Sequence, residues 1–474
     1  MSQKKQGLSL FFSSLAKTVV FLMGFLIFFL QTSLGMAQEV QSDSLDQELF
    51  QQEAKVDTSS VALSLRQAMQ QAAERNPHSL LAVEKIRESQ GRAWEASSGL
   101  LPHVSAHVTQ GRETINLATL GFDSNLFPLP STLLGPFNVF DARINLLQNI
   151  FDWRAIETHR LGRAELRKTE SEAALATEQA RLQAGLAYLT LLQAEAQERG
   201  LRSDVKLAET FAKSVRDQNV AGISTGIDKT RAETQLSLTR SLLLQVQNKR
   251  YEAELRLKRA LDLPLSNALQ LSDSLQNLSE KSVKLEEALN QAKKQRLELK
   301  IARQTLGVQK LRKNAAEAAW FPDLTFAANY GANGNTPSKN LEETYQFGVQ
   351  VGIPVFDGGL TLAKTMQAKS GERQAQILLK ETETQVEQDV RLAYENLVQT
   401  QSRVASAKLA YSLAKRQIEQ MRSQFRVGVS DSLGLVSSEN ALTRAREDYL
   451  AALAQYQAAR MMLSYAQGEI EAFP

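Results

Sequence analysis

Four histidines, His78, His103, His107 and His159, are the residues of this 474-residue chain best suited to metal or acid–base chemistry. His103 and His107 fall on one face of an alternating stretch, where two imidazoles could begin a metal site. No carboxylate or cysteine stands at a matching spacing, so the pair reads better as part of a solvated strand face. The chain contains no cysteine, which excludes disulfides, thiolate metal sites, a cysteine nucleophile and a lipid-attachment cysteine. No glycine-rich phosphate loop follows a strand, and no nucleophile motif appears. A net charge of +3 offers no strongly basic surface to nucleic acid. We therefore expect no enzyme and no cofactor or metal.

What remains is polar patterning. Gln346, Gly348, Gln350 and Gly352 alternate with Tyr345, Phe347, Val349, Val351 and Ile353. Upstream, Leu324, Phe326, Ala328 and Tyr330 alternate with Thr325, Ala327 and Asn329. A period of two puts apolar residues on one face and small polar ones on the other. Taken alone, this fits a soluble hairpin on a core better than a membrane-barrel hairpin with lipid outside and water inside.

The elements around the hairpin change that balance, because the chain reads twice. Leu65, Ala68, Ala72, Ala82, Ala96, Pro102 and Gly111 match Leu285, Ala288, Ala292, Ala302, Ala316, Pro322 and Gly331, all 220 residues on. Ile144, Leu146, Phe151 and Asp152 match Val349, Val351, Phe356 and Asp357, 205 on. Gly222, Ser224, Glu233 and Leu236 match Gly428, Ser430, Glu439 and Leu442, 206 on. Three blocks in one order mark a duplicated unit, expected over 61–262 and 285–470 with a linker at 263–284. Each unit reads as a helix (64–99, 285–319), two strands, a long helix (154–217, 361–425), a glycine turn and a third helix (228–262, 434–468). No proline interrupts either long helix, so each should reach roughly 95 Å. The first and third helices run the same way and could stack end to end beside it. Ahead of the repeats, residues 1–37 read as a signal peptide, with Lys4, Lys5 and the apolar run Val19–Leu30 too short to span a bilayer. Residues 38–60 read as a flexible lead-in.

The strands are expected at about 103–110, 141–150, 323–331 and 345–354, long enough to cross a bilayer when tilted. Pro102, Pro322 and Pro354 mark ends, where a missing ladder donor is tolerated. Four strands cannot close a barrel, and open edges cannot face lipid. Two copies would give a barrel that side chains tend to fill; three give twelve strands and a water-filled interior. Gln346 and Gln350 would then line the pore. The apolar loop 111–140 would lie at the exterior, where we expect three copies to pack over the mouth.

The closing motifs Gly99-Leu100-Leu101-Pro102 and Ala319-Trp320-Phe321-Pro322 resemble those of the TolC family of outer-membrane efflux proteins. So do Ile353-Pro354-Val355-Phe356-Asp357-Gly358-Gly359 and the turn Val427-Gly428-Val429. The resemblance covers about 61–470. It implies a mainly α fold with a membrane β-barrel: a homotrimer whose twelve-stranded barrel sits in outer-membrane lipid on a long periplasmic helical tunnel. It also implies docking to a periplasmic adaptor and an inner-membrane pump. On that resemblance Ala221, Gly222, Ile223, Val427, Gly428 and Val429 are adaptor-contact tips. Well-known members carry two aspartates, one turn apart, at the periplasmic aperture; here those positions are Gly434 and Ser437, and their first-repeat counterparts are Asp228 and Arg231. Asp228, with Asp431 nearby, could ring the opening, although Asp228 reads rather better as a helix-capping residue.

The function expected is a passive outer-membrane exit duct for efflux or type I secretion, opened by an adaptor and pump. The alternative is a soluble periplasmic coiled-coil scaffold or adaptor, which ordinarily has one hairpin and a compact strand-rich domain rather than two matched hairpins.

Overall fold

The computed structural model describes residues 62–120, 132–275, 284–427, 429 and 431–473. The expected signal peptide (1–37), the lead-in (38–60), residues 121–131 of the apolar loop, residues 276–283 of the linker and the tip residue Gly428 lie outside the described residues.

One order of elements occurs twice. The first pass holds α1 (Leu65–Arg75), α2 (Pro77–Ser98), β2 (His103–Asn116), β3 (Leu133–Phe151), α3 (Trp153–Val220) and α4 (Gly226–Ala260). The second holds α5 (Leu285–Gln295), α6 (Leu297–Glu317), β5 (Asp323–Gly334), β6 (Glu342–Gly352), α7 (Leu360–Arg426) and α8 (Ser432–Gln467). Two short strands, β1 (Ala62–Leu63) and β4 (Gln270–Leu271), pair in parallel. Among the described residues no helix is long and apolar enough to cross a membrane.

Helices α3 and α7 run unbroken for 68 and 67 residues, roughly 100 Å each. Their contact stripes are narrow and rich in alanine. On α3 the buried residues include Ala173, Ala180, Ala184, Tyr188 and Leu191, at the three- and four-residue steps that keep side chains on one side of a helix. Small residues let neighbours approach. A Cβ on Gly185 would meet the fully buried Met461 of α8 at 2.6 Å, and one on Gly162 would meet Ala96 of α2 at 2.8 Å. Fully buried Tyr188 pins the segment between the repeats: its hydroxyl donates to the Leu63 carbonyl (2.9 Å) and to Asp273 (2.8 Å).

The first helix of each repeat departs from expectation. The single helices read at 64–99 and 285–319 are each two, broken at Asn76 and at Arg296. Asn76 is extended (ψ 132°), accepts from the His78 amide and precedes a proline at the first position of α2, where proline's missing N–H costs nothing. Arg296 takes the same extended backbone (ψ 120°) with no side-chain cap. Its buried guanidinium instead bonds Glu298 (2.7 Å), Asp389 (3.3 Å) and the Tyr465 carbonyl (3.1 Å). Tertiary bonding holds this break where no local residue signals one. Both breaks meet the end of the third helix, since the Asn76 side chain donates to the Ala260 carbonyl at 2.9 Å.

The four long strands form one antiparallel sheet in the order β2-β3-β5-β6. Strand limits differ from expectation most in the first repeat: β2 runs to Asn116 and β3 starts at Leu133, so much of the loop expected at 111–140 is paired strand. Gly135 and Pro136 concealed this. They occupy a register shift opposite Glu113–Ile115, where an irregular ladder tolerates a residue without an N–H. The β3–β5 pairing stops at Phe140–Gly334, so the β2–β3 hairpin overhangs the four-stranded part by several residues. In the second repeat β5 continues to Gly334, and β6 starts at Glu342 and stops at Gly352, short of Pro354.

Candidate functional site: sheet face and helix tips

The register aligns side chains across the sheet in rows. Ser105, Asn145, Asn329 and Gln346 stand opposite one another, one from each strand. The next row on that face is His107, Arg143, Gly331 and Thr344, and the next is Thr109, Asp141, Asn333 and Glu342. In the other direction lie His103, Leu147, Ala327 and Gly348, then Asn149, Thr325 and Gln350, then Asp323 and Gly352. Gln346 and Gln350 thus share one face of the sheet. The opposite face carries Val104, Leu146, Ala328 and Phe347 in one row and Ala106, Ile144, Tyr330 and Tyr345 in the next. Tyr345 and Phe347 stack at 6.5 Å and are each 71% exposed, large apolar groups left uncovered by the described residues.

The polar face is knit by cross-strand bonds. Arg143 holds Asp141 of its own strand through contacts of 2.9–3.0 Å and reaches across to the side-chain Oδ1 of Asn329 at 3.3 Å. The Asn145 amide lies 3.0 Å from His107 Nδ1. Gly331 is required here, since a Cβ would overlap the Ala142 carbonyl and the Arg143 side chain. His103 and His107 are two strand repeats apart on exposed β2, with Ser105 between them on the same face, and among the described residues no group of His, Asp or Glu could hold a metal.

At the other end, α3 and α4 meet in a turn closed by its own backbone. Gly222 takes φ 74°, and the Ile223 amide donates to the Gln218 carbonyl at 2.8 Å, a helix-ending geometry that favours glycine. At the second tip, 206 residues on, the Val429 amide donates to the Gln424 carbonyl at 2.9 Å. Val220, Ile223, Val427 and Val429 stand well exposed, so each tip presents aliphatic side chains to solvent. Ala221 is the C-cap of α3 and Val427 that of α7.

Two of the aperture candidates, Asp228 and Asp431, take part in helix caps. Asp228 completes a capping box with Thr225 at the start of α4, and Asp431 caps α8 by accepting from the Gly434 amide at 2.9 Å. Asp228 also accepts from the hydroxyl of buried Ser432, while Arg231 lies 3.9 Å away. The Ser432 bond, with that of Thr225, holds the Asp228 carboxyl below its usual range. Gly434 sits in the first turn of α8, and Ser437 is exposed one turn on. Nearby, α4 and α8 flank a cavity of about 440 Å³ lined by Ile227, Arg231, Thr234, Leu433 and Val436.

The sequence reading missed the ties between repeats. Gln235 of α4 donates to Asn440 of α8 at 2.9 Å. Asp204 of α3 binds both Thr443 (2.9 Å) and Arg446 (2.9 Å to one nitrogen) of α8, and Arg446 lies over Gly200, where a Cβ would collide with it. Only the glycine at 200, with an aspartate four residues on, hinted that something crosses there.

The model of the outer membrane efflux protein family matches residues 68–262 and 288–469. The chain belongs to that family. Among curated relatives of this outer membrane efflux protein, the alkaline protease secretion protein AprF of Pseudomonas aeruginosa is 22% identical over 421 residues, covering 83% of each chain. The outer membrane protein TolC of Vibrio cholerae is 25% identical over 424 residues, covering 85% of this chain and 92% of its own. Among solved structures, the CmeC outer membrane channel of Campylobacter jejuni superposes with a TM-score of 0.76 at 16% identity, covering 86% of each chain. VceC of Vibrio cholerae does so with a TM-score of 0.72 at 15% identity, covering 85% of this chain and 96% of its own. The outer membrane efflux protein described here is an outer-membrane exit channel, and the scaffold alternative is not favoured.

Proposed function

We propose that three copies of this chain assemble into a passive duct from periplasm to exterior, in which each copy supplies four strands of a twelve-stranded barrel and a third of a helical tunnel. The observation that carries this is the sheet itself: it is apolar on one face and polar on the other, and among the described residues its outer strands β2 and β6 have no partner on one side. Unpaired backbone groups are costly in lipid, and pairing β6 of one copy with β2 of the next removes every edge. Tyr345, Phe347, Val349 and Val351 then face lipid, while Gln346 and Gln350 line water.

The chain carries no reaction of its own on this reading. A pump in the inner membrane supplies the energy, and a periplasmic adaptor engages the aliphatic tips around Val220, Ala221, Gly222, Ile223, Val427, Gly428 and Val429. AprF is by name an alkaline protease secretion protein. No acidic pair stands at Gly434 and Ser437, and Asp228 is engaged by Ser432 and Thr225, so an aperture held by cation binding at those positions is not part of the proposal.

The test uses the natural absence of cysteine. Single cysteines placed on β2 and on β6 should cross-link between copies through a short bifunctional reagent, giving a trimer band from outer-membrane fractions and channel events in planar bilayers. A monomer that extracts without detergent and conducts nothing would overturn the duct.

A further inference from the structure

We propose that small ions crossing the duct are selected for cations in the strand sheet, by Asp323 and Glu342. The proposal deepens the duct reading and rests on it.

The polar face of the four-stranded part carries four formal charges, Asp141, Arg143, Asp323 and Glu342. Asp141 and Arg143 cancel, because the guanidinium is fixed on the carboxylate through three bonds of 2.9–3.0 Å. Asp323 and Glu342 have no ion-pair partner among the described residues; the nearest polar company of Asp323 is the Thr325 hydroxyl, at 3.4 Å. They stand in separate rows near opposite ends of the sheet, Asp323 beside Gly352 and Glu342 beside Asn333. That is about ten residues, or roughly 33 Å, along the strand. Between them the row Ser105, Asn145, Asn329 and Gln346 is uncharged.

In the trimer each carboxylate becomes a ring of three, one toward each end of the barrel, with an amide belt midway. Fixed charge of one sign in a pore walled by low-dielectric material concentrates counter-ions and repels co-ions. At the helix tips positions 434 and 437 are glycine and serine, Asp228 lies near Arg231 and Asp431 caps α8, and the field of those two acids acts at the tips, far from the sheet. The opposite sheet face carries Glu343, which accepts from the Tyr330 hydroxyl at 2.9 Å and points away from the lumen.

Reversal potentials of the full-length protein in planar bilayers under a KCl gradient test this. The native channel should prefer K⁺ in dilute salt and lose the preference near 1 M, where the screening length falls to about 3 Å. The double variant D323N/E342Q should bring the K⁺/Cl⁻ permeability ratio close to one. R143Q, which frees Asp141, should raise the ratio by about twofold. Should either variant fail to assemble, Gln346→Lys sets a cation in the uncharged belt and should turn the preference toward Cl⁻. A native ratio near one, or a ratio unmoved in variants that still conduct, would overturn the proposal while leaving the duct standing. No channel events from native protein would overturn the duct itself.

Discussion

Arg296 donates to the carbonyl of Tyr465 at 3.1 Å while its guanidinium lies 4.7 Å from the centre of the same residue's ring. Asn76, 220 residues earlier, makes the corresponding bond to Ala260 at 2.9 Å. Two different side chains thus fasten the first helix of each repeat to the end of the third. Arg296 is the costlier to lose, because its buried guanidinium joins Glu298, Asp389 and the Tyr465 carbonyl at once, although Glu298 keeps the Tyr465 hydroxyl and Asp389 keeps Gln385. R296A is expected to destabilise the fold by about 3 kcal/mol and N76A by about 1 kcal/mol, read as shifts in thermal unfolding of the detergent-extracted protein.

Close to this joint, Glu178 of α3 gives the fold a pH dependence. Burial pushes its carboxyl up to about 7; Glu298 adds repulsion, and Arg181 and Arg296 oppose it. Between the usual 4.5 and about 7 the folded chain keeps a proton that the unfolded chain has released. Stability therefore falls as pH rises through that window and levels off above it. E178Q should flatten this part of the profile and raise stability at pH 8 by on the order of 1 kcal/mol, once the water that still reaches the carboxylate is discounted. An unchanged profile between pH 5 and pH 8 would sink the assignment.

Asp204 and Arg446 should behave as one unit. A double-mutant cycle with D204A and R446A is expected to show a coupling of about 1–3 kcal/mol, since each single change strands the other charge. Gly200→Leu should reproduce much of the R446A effect without touching either charge, because the added side chain takes the space the guanidinium fills. Additive single effects would show that the contact is idle.

The tips separate stability from transport. Gly222→Val forces a β-branched residue into positive φ and should cost about 1–2 kcal/mol. The exposed pair I223S/V429S should change stability by less than about 0.5 kcal/mol. It should nevertheless impair export in cells, read as drug susceptibility or retained cargo, because these side chains are proposed to meet the adaptor. Full export by that variant at native abundance would remove the tips from the interface.

Much of this was legible because duplication and period are robust signals. The unbroken α3 and α7 follow from long stretches without proline, and the two-faced strand β6 from alternation at Tyr345–Val351. What escaped depends on distant partners. Arg296 is locally a good helix residue, and only Tyr465 and Asp389, far along the chain, make it a break. The length of β3 was masked by Gly135-Pro136, which ordinarily end a strand but here sit in a bulge. Asp228 reads as a capping residue from its place at the start of a helix, and the structure pairs it with Thr225 in a capping box; its bond to Ser432 joins two repeats and leaves no local trace.

The unbroken course of α3 and α7 has a mechanical consequence. A push at Val220 or Arg426 passes along a continuous ladder of helix bonds to Trp153 or Leu360 beside the sheet. Along the parallel path, α4 hands over to α1 and α2 at Asn76, and α8 to α5 and α6 at Arg296, through side-chain fasteners. Each repeat therefore pairs a stiff rail with a jointed one. Strain entering at the tips loads the rail and bends the joint, so Asn76 and Arg296 set how much of a partner's grip is felt at the far end.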